Sequence, residues 1–292
     1  MEHVEADARS DRSDGPGRAD PRYVRFLRDV VRPLVGLAHR PSLRGFENLP
    51  EGRPFMLVAN HSAGLGISEL LCFAALYAER FGGERPLAGF AHSTVFAFPP
   101  MGALLRKVGA VPSTFEAGLE ALRLGVPLLV FPGGDHETMR PFWQASRVDF
   151  AGRRGFLRMA ARARVPIVPM GISGSHASAP VLWRSQALPY VLGVPRLLGL
   201  KRWPVTLLGV LGSLAIARFL PVKKRWRAVA VWAFSTSPFV MLPIFPTTIR
   251  FRIGEPIEPE ALFTGEDSGH HHALALVQAR VAELAAQAAT DS

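Results

Sequence analysis

Two short stretches hold the residue types that chemistry needs. The first is Phe55–Glu69, FMLVANHSAGLGISE, in which an apolar run reaches Asn60-His61 and a small-residue loop follows. An apolar helical pattern then opens with an acid, Glu69, near its start. This reads as strand, sharp loop and helix, with one imidazole at the strand's exit. An imidazole so placed can take a proton from a hydroxyl near neutral pH. About 70 residues later, LLVFPGGDHETMRP at Leu128–Pro141 supplies a second apolar strand and a Gly-rich turn. Together the two loops suggest an active site.

The elements that must position these loops alternate between strand and helix. Expected strands are Phe55–Ala59, Leu87–Ala91, Pro127–Phe131, Pro166–Met170 and the alternating Thr247–Gly254. Expected helices are Glu69–Arg80, Met101–Lys107, Thr114–Leu124, Gly155–Arg164 and an Ala-rich amphipathic one over about Ala273–Ala288. The order predicts an α/β fold: a single domain with a largely buried mixed sheet flanked by helices.

The chain has 292 residues, a net charge of +10 and a hydrophobic fraction of 48%. Its partner is therefore expected to be anionic: nucleic acid, a phospholipid surface or a phosphate-bearing substrate such as coenzyme A. Basicity joined to apolarity favours the membrane, and the usual nucleic-acid motifs are absent. The lone cysteine, Cys72, lies in LLCFAAL and reads as core, with no internal disulfide possible. His270–His272 reads as a solvated loop, since no acid or cysteine stands at ligand spacing; no metal and no cofactor are expected.

Residues 1–21 mix acids with arginines, lack an apolar signal core and are expected to be disordered. The catalytic part is accordingly expected on the cytoplasmic face of a membrane. Residues 22–44 hold a basic amphipathic helix, Tyr23–Val35, and a lead-in to the domain of residues 45–265; residues 266–292 form the C-terminal amphipathic helix. Within the domain, an apolar insertion at about 183–246 carries four of the five tryptophans (Trp183, Trp203, Trp226, Trp232) and two uncharged runs separated by PVKKRWR. These runs read as an interfacial or re-entrant pair with Trp and Lys/Arg at headgroup depth, with two true spans or an insertion packed on the core as alternatives.

Three blocks in register resemble the glycerolipid acyltransferase superfamily, which includes the lysophosphatidate acyltransferases. They are VANHS at Val58–Ser62, VFPGGDHETMRP at Val130–Pro141 and GRRGFLRMAARARVPIVPM at Gly152–Met170. The third looks most like the diacylglycerol acyltransferase-like branch. The resemblance covers about Gly45–Met170 and implies acyl transfer from acyl-CoA, or an acyl carrier protein, to a lipid hydroxyl. Acyl-CoA would be a co-substrate. His61 would be the general base, with Gly133 and Gly134 in a turn whose N–H groups stabilise the oxyanion. Asn60, Ser62, Asp135, Glu137, Arg140, Arg154 and Arg158 are the substrate-binding candidates, the arginines, with Arg153, for an anionic group such as CoA.

The chain departs from the family pattern at one catalytic position. The family's NHxxxxD motif places an aspartate five residues after the histidine, and Gly66 stands there. Glu69 is the nearest acid downstream and is the candidate to orient His61, or it serves only the helix N-terminus, with Asp135 or Glu137 as substitutes. The family's phosphate-gripping arginines are also missing, since Ser113, Gly133 and His136 occupy the matching places. A neutral acceptor is therefore expected. The competing readings are a lipid thioesterase or esterase, and a catalytically silent lipid-binding protein in which no carboxylate reaches His61.

Overall fold

The computed structural model describes residues 15–62, 66–97, 99–197, 199–263 and 270–291. Seven strands form one sheet in the order β1-β9-β6-β2-β5-β3-β4. They are β1 (Ser42–Arg44), β2 (Met56–Ala59), β3 (Ala88–Ala91), β4 (Ala110–Pro112), β5 (Leu128–Val130), β6 (Ile167–Ser173) and β9 (Arg250–Ile253). The β6-β2-β5-β3-β4 block is parallel, and β9 joins β6 antiparallel. The expected α/β class with a mixed sheet is what the chain forms. β2 is fully buried along its length, as a central strand covered on both faces should be.

Both faces of the sheet are covered. On one face Leu57, Ala59 and Leu129 meet the helix α2 (Ile67–Phe81) and the N-terminal helix α1 (residues 21–39). On the other, Met56, Val58, Leu128 and Val130 meet α4 (Phe115–Arg123), α6 (Gly155–Ala163) and α9 (His271–Thr290). The remaining helices needed below are α3 (Pro99–Lys107), α5 (Gly134–Thr138), α7 (Leu207–Phe219) and α8 (Lys224–Thr236). α9 buries Ala273, Val277, Val281 and Ala288, so the C-terminal helix is part of the domain core.

Where the expected disordered tail falls on residues 1–14 it lies outside the described residues. From Gly15 the chain is packed: Ala19 bridges Val108, and the Asp20 N–H donates to the Lys107 carbonyl at the end of α3 (2.8 Å). α1 departs from a single apolar face because its middle, Leu27–Val31, is a π-helical turn. The shift turns Val31 and Val35 inward and leaves Phe26, Val30, Leu34 and Leu37 exposed.

The insertion is built as a hairpin, β7 (Val181–Ser185) with β8 (Trp203–Thr206), followed by the antiparallel helices α7 and α8. Among the described residues no helix is long and apolar enough to cross a membrane, so the reading of two true spans is corrected. The first uncharged run, Val205–Ala217, begins in β8, and only Leu207 onward is helical. Trp203 is buried with its indole N–H donating to the Ser235 carbonyl (2.9 Å), so it serves the insertion's own core.

Candidate active site

His61 leaves the C-terminal end of β2, and its neighbours leave the ends of the two adjacent strands. Phe131 and Gly133 follow β5, and Ser175 follows β6. Adjacent strands run about 4.8 Å apart, so these three exits lie side by side. That edge is where open α/β sheets bind ligands. Asn60 anchors the exit: its amide donates to the Ile172 carbonyl (2.9 Å) and its Oδ1 accepts the Ile172 N–H (2.8 Å). β2–β6 pairing thus continues through a side chain after the strand has ended.

Glu69 is completely buried and turned toward His61. Its Oε1 meets His61 Nδ1 in a short hydrogen bond and accepts the Ser62 N–H (3.0 Å). Its Oε2 accepts from the hydroxyls of Ser62 (2.6 Å) and Ser175 (2.8 Å). The carboxylate is thereby fixed by three donors besides the imidazole. With the Nδ1 proton facing the carboxylate, Nε2 carries the lone pair, which is the tautomer a general base requires. Phe131 stacks on the ring, with centroids 4.3 Å apart and planes inclined by 22°.

Gly66 explains why the acid comes late. It caps α2 with φ +66°, and a Cβ built on it would lie 2.0 Å from His61 Cε1. The imidazole fills the space that a side chain at position 66 would need. Glu69, at the third position of α2, delivers the carboxylate instead.

Glu137 holds the backbone of the same loop. Its Oε2 accepts the His61 N–H (2.9 Å), and its Oε1 accepts the Asp149 N–H and Arg140 Nη2, each at 3.0 Å. Burial pushes its carboxyl above the usual range, against the pull of those two N–H groups and the Arg140 and His61 charges. Gly133 makes room for it, since a Cβ there would lie 2.2 Å from Glu137 Cγ. The Gly134 N–H is committed to the Phe131 carbonyl (3.1 Å), leaving Gly133 as the candidate oxyanion donor of the two.

The charged candidates separate into different environments. Asp135 does not orient His61; it bridges Arg153 Nη2 (2.5 Å) and Arg202 Nη1 (3.1 Å), tying the turn to the insertion. Arg153 also donates to the Gly133 carbonyl (2.8 Å). Arg140 lies in the interior, 2% exposed, paired with Glu137 and with Nε and Nη1 unpartnered among the described residues. Arg154 meets His271 Nε2 (2.7 Å). Arg158 is exposed and lines an open groove of about 820 Å³ between α4 and α6 with Arg123 and Arg162.

Sequence reasoning passed over Ser175 and His176. The available signal was a third strand-end loop, GISGSH, but only the sheet order puts β6 beside β2. His176 is held neutral by burial and by the neighbouring Arg140 and His61 charges, down to about 3. Unfolded, a histidine binds a proton below about 6.5. Its contribution to stability is therefore complete above that pH and is lost as pH falls toward 3. His176→Asn is expected to flatten the decline of Tm between pH 7 and pH 4 relative to wild type. Parallel declines would contradict this.

The Acyltransferase family model matches residues 40–173, the span that contains His61, Glu69 and the Gly133 turn, with Ser175 just beyond it. Residues 40–173 thus form an Acyltransferase-family domain, and the chain is similar to the glycerolipid acyltransferase superfamily. An uncharacterized protein of Mycobacterium tuberculosis is 30% identical over 207 residues, covering 69% of this chain and 55% of that one. The human DGAT1/2-independent enzyme synthesizing storage lipids is 30% identical over 132 residues, 45% of this chain and 39% of that one. The chain thus spans about half, or less, of the curated relatives it matches. The crystal structure of the 1-acyl-sn-glycerophosphate acyltransferase PlsC of Thermotoga maritima aligns over 89% of this chain and 79% of that one. Its TM-score is 0.52 at 18% identity, a likeness of fold.

Proposed function

We propose that the protein transfers a fatty acyl group from acyl-CoA to the hydroxyl of a lipid acceptor at a membrane surface. The observation that carries this reading is the contact of Glu69 with His61 Nδ1 at the exit of the central strand. His61 Nε2 takes the acceptor proton as the hydroxyl oxygen attacks the thioester carbonyl. The oxyanion of the tetrahedral intermediate faces the Gly133 N–H. Collapse expels the CoA thiolate, the imidazolium returns the proton to sulfur, and the products are an ester and free CoA. The chain itself supplies every group this needs, and acyl-CoA enters as a co-substrate.

The acceptor is neutral in this reading, a mono- or diacylglycerol or a long-chain alcohol. Ser113 and His136 stand where the family resemblance would place phosphate-gripping arginines, and Arg140 is paired with Glu137 in the interior. The storage-lipid enzyme among the relatives favours the same class. The silent-binding alternative needs a His61 that no carboxylate reaches, and Glu69 makes that contact.

The test is thiol release from long-chain acyl-CoA by detergent-purified protein, with no acceptor and with lysophosphatidate, lysophospholipid, monoacylglycerol, diacylglycerol and fatty alcohol in turn. Release that requires a neutral acceptor and is absent in His61→Ala is the expected result. Release without any acceptor would establish the thioesterase instead, and release with lysophosphatidate alone would overturn the neutral acceptor.

A further inference from the structure

The insertion is where the chain's charge imbalance resides. Residues 181–246 contain nine lysines and arginines and no aspartate or glutamate, whereas the rest of the chain holds 25 basic and 24 acidic residues. Its helices are also left uncovered. α7 has no charge before Arg218 and none of its residues is buried, and α8 buries only Thr236. Leu214 is 61% and Phe219 75% exposed, and Leu211, Trp226, Val229 and Phe239 are exposed too. A helix apolar on every side needs cover on every side, and α8 with the turn Pro238–Met241 supplies only part of it.

We propose that the α7–α8 hairpin seats the protein on an anionic phospholipid surface, lying along the interface. Length excludes a crossing: thirteen residues of α7 extend about 20 Å, against a hydrocarbon core of about 30 Å. Charge excludes deep insertion of the tip, because Lys223 caps α8 and Lys224 and Arg225 open it, next to the turn between the helices. The Arg225 guanidinium lies over the Trp226 ring, 5.6 Å from its centre, an aromatic–cation pair suited to headgroup depth. The basic excess selects anionic over zwitterionic lipid.

The seat is joined to the catalytic turn. Arg184 Nη1 donates to the His136 carbonyl (2.6 Å), Arg202 pairs with Asp135, and Met139 sits in the insertion's own core with Trp203, Val240 and Met241. Docking of the hairpin therefore presents the Gly133 turn at a fixed position relative to the bilayer, the source of acceptor in the reading proposed above. The docking itself does not depend on that reading.

The test is co-sedimentation of the full chain with phosphatidylcholine vesicles and with phosphatidylcholine–phosphatidylglycerol vesicles. Wild type is compared with Lys223→Glu/Lys224→Glu/Arg225→Glu and with Leu214→Ser/Phe219→Ser/Val229→Ser, each checked for native circular dichroism. Binding is expected only, or at least ~10-fold more strongly, on the anionic vesicles. It should fall at least ~10-fold in either variant. Equal binding to both vesicle types, or variants that bind as wild type does, would overturn the proposal. Thiol release with detergent-dispersed acceptor is measured in parallel and should be the same in all three proteins. Hairpin-dependent binding without any thiol release would sink the enzymatic reading alone. Normal release with hairpin-independent binding would sink this proposal alone.

Discussion

Glu69→Ala is expected to lower acceptor-dependent kcat by about 10²–10⁴-fold with little change in KM for acyl-CoA. The carboxylate is the group that faces His61 Nδ1, and no other acid among the described residues replaces it: Asp135 is bound by two arginines, and Glu137 faces the His61 backbone N–H. Without Glu69 the imidazole loses its fixed tautomer, and the positive charge it acquires during transfer loses its partner. The same change removes the acceptor that the buried hydroxyls of Ser62 and Ser175 share; because those hydroxyls also contact each other, one of the two is left short of an acceptor, at about 1–3 kcal/mol. A fall in Tm should therefore accompany the fall in rate. Glu69→Gln separates the two effects, since it keeps the volume and can still accept a hydroxyl proton. It should restore most of the Tm while leaving kcat low. A Glu69→Ala protein with wild-type kcat would show that His61 needs no acid.

Gly66→Asp is expected to abolish activity, although it recreates the family's usual motif. By sequence the substitution looks like a repair. By structure it drives a Cβ to within 2.0 Å of His61 Cε1, at a φ of +66° that a side chain rarely adopts. Either the imidazole leaves its place on Glu69 and Phe131 or the loop moves, and both separate the base from the Gly133 turn. The predicted loss in kcat is at least ~10²-fold, the low end of what general-base catalysis supplies. Thiol release beside thermal unfolding is the measurement. Gain of activity in Gly66→Asp would mean that the loop reorganises around the new acid and that Glu69 is only a helix-terminal carboxylate.

By itself the sequence determined the strand–loop–helix at His61, the second loop at Gly133 and Gly134, and the alternation of elements that makes an α/β sheet. These are local matters: periodicity, glycine and a strand's apolar run are legible within about fifteen residues. The ends were legible too, with Thr114 accepting the Ala117 N–H to start α4 where that helix was expected. Four short strands were not, namely β1, β4, β7 and β8, because strands of three to five residues in turn-rich segments such as GAVPS carry too little pattern.

The tertiary structure decided between the roles open to Glu69, because it brings that carboxylate onto His61 Nδ1. Glu69 was the first candidate as the nearest acid downstream, with Asp135 and Glu137 as substitutes, and the three separate in space because β2, β5 and β6 end side by side. It also decided the roles of the arginines. Arg140 and Arg153 look alike in the sequence, yet one is interior and paired with Glu137 while the other clamps the Gly133 turn. Ser175 and His176 enter the site from a strand more than 100 residues downstream of His61. The physical reason is common to all of these. A side chain's type and its local helix or strand are set by its neighbours in the chain, whereas its partner, burial and charge environment are set by which strands lie next to one another, and sheet order is not written in any local stretch.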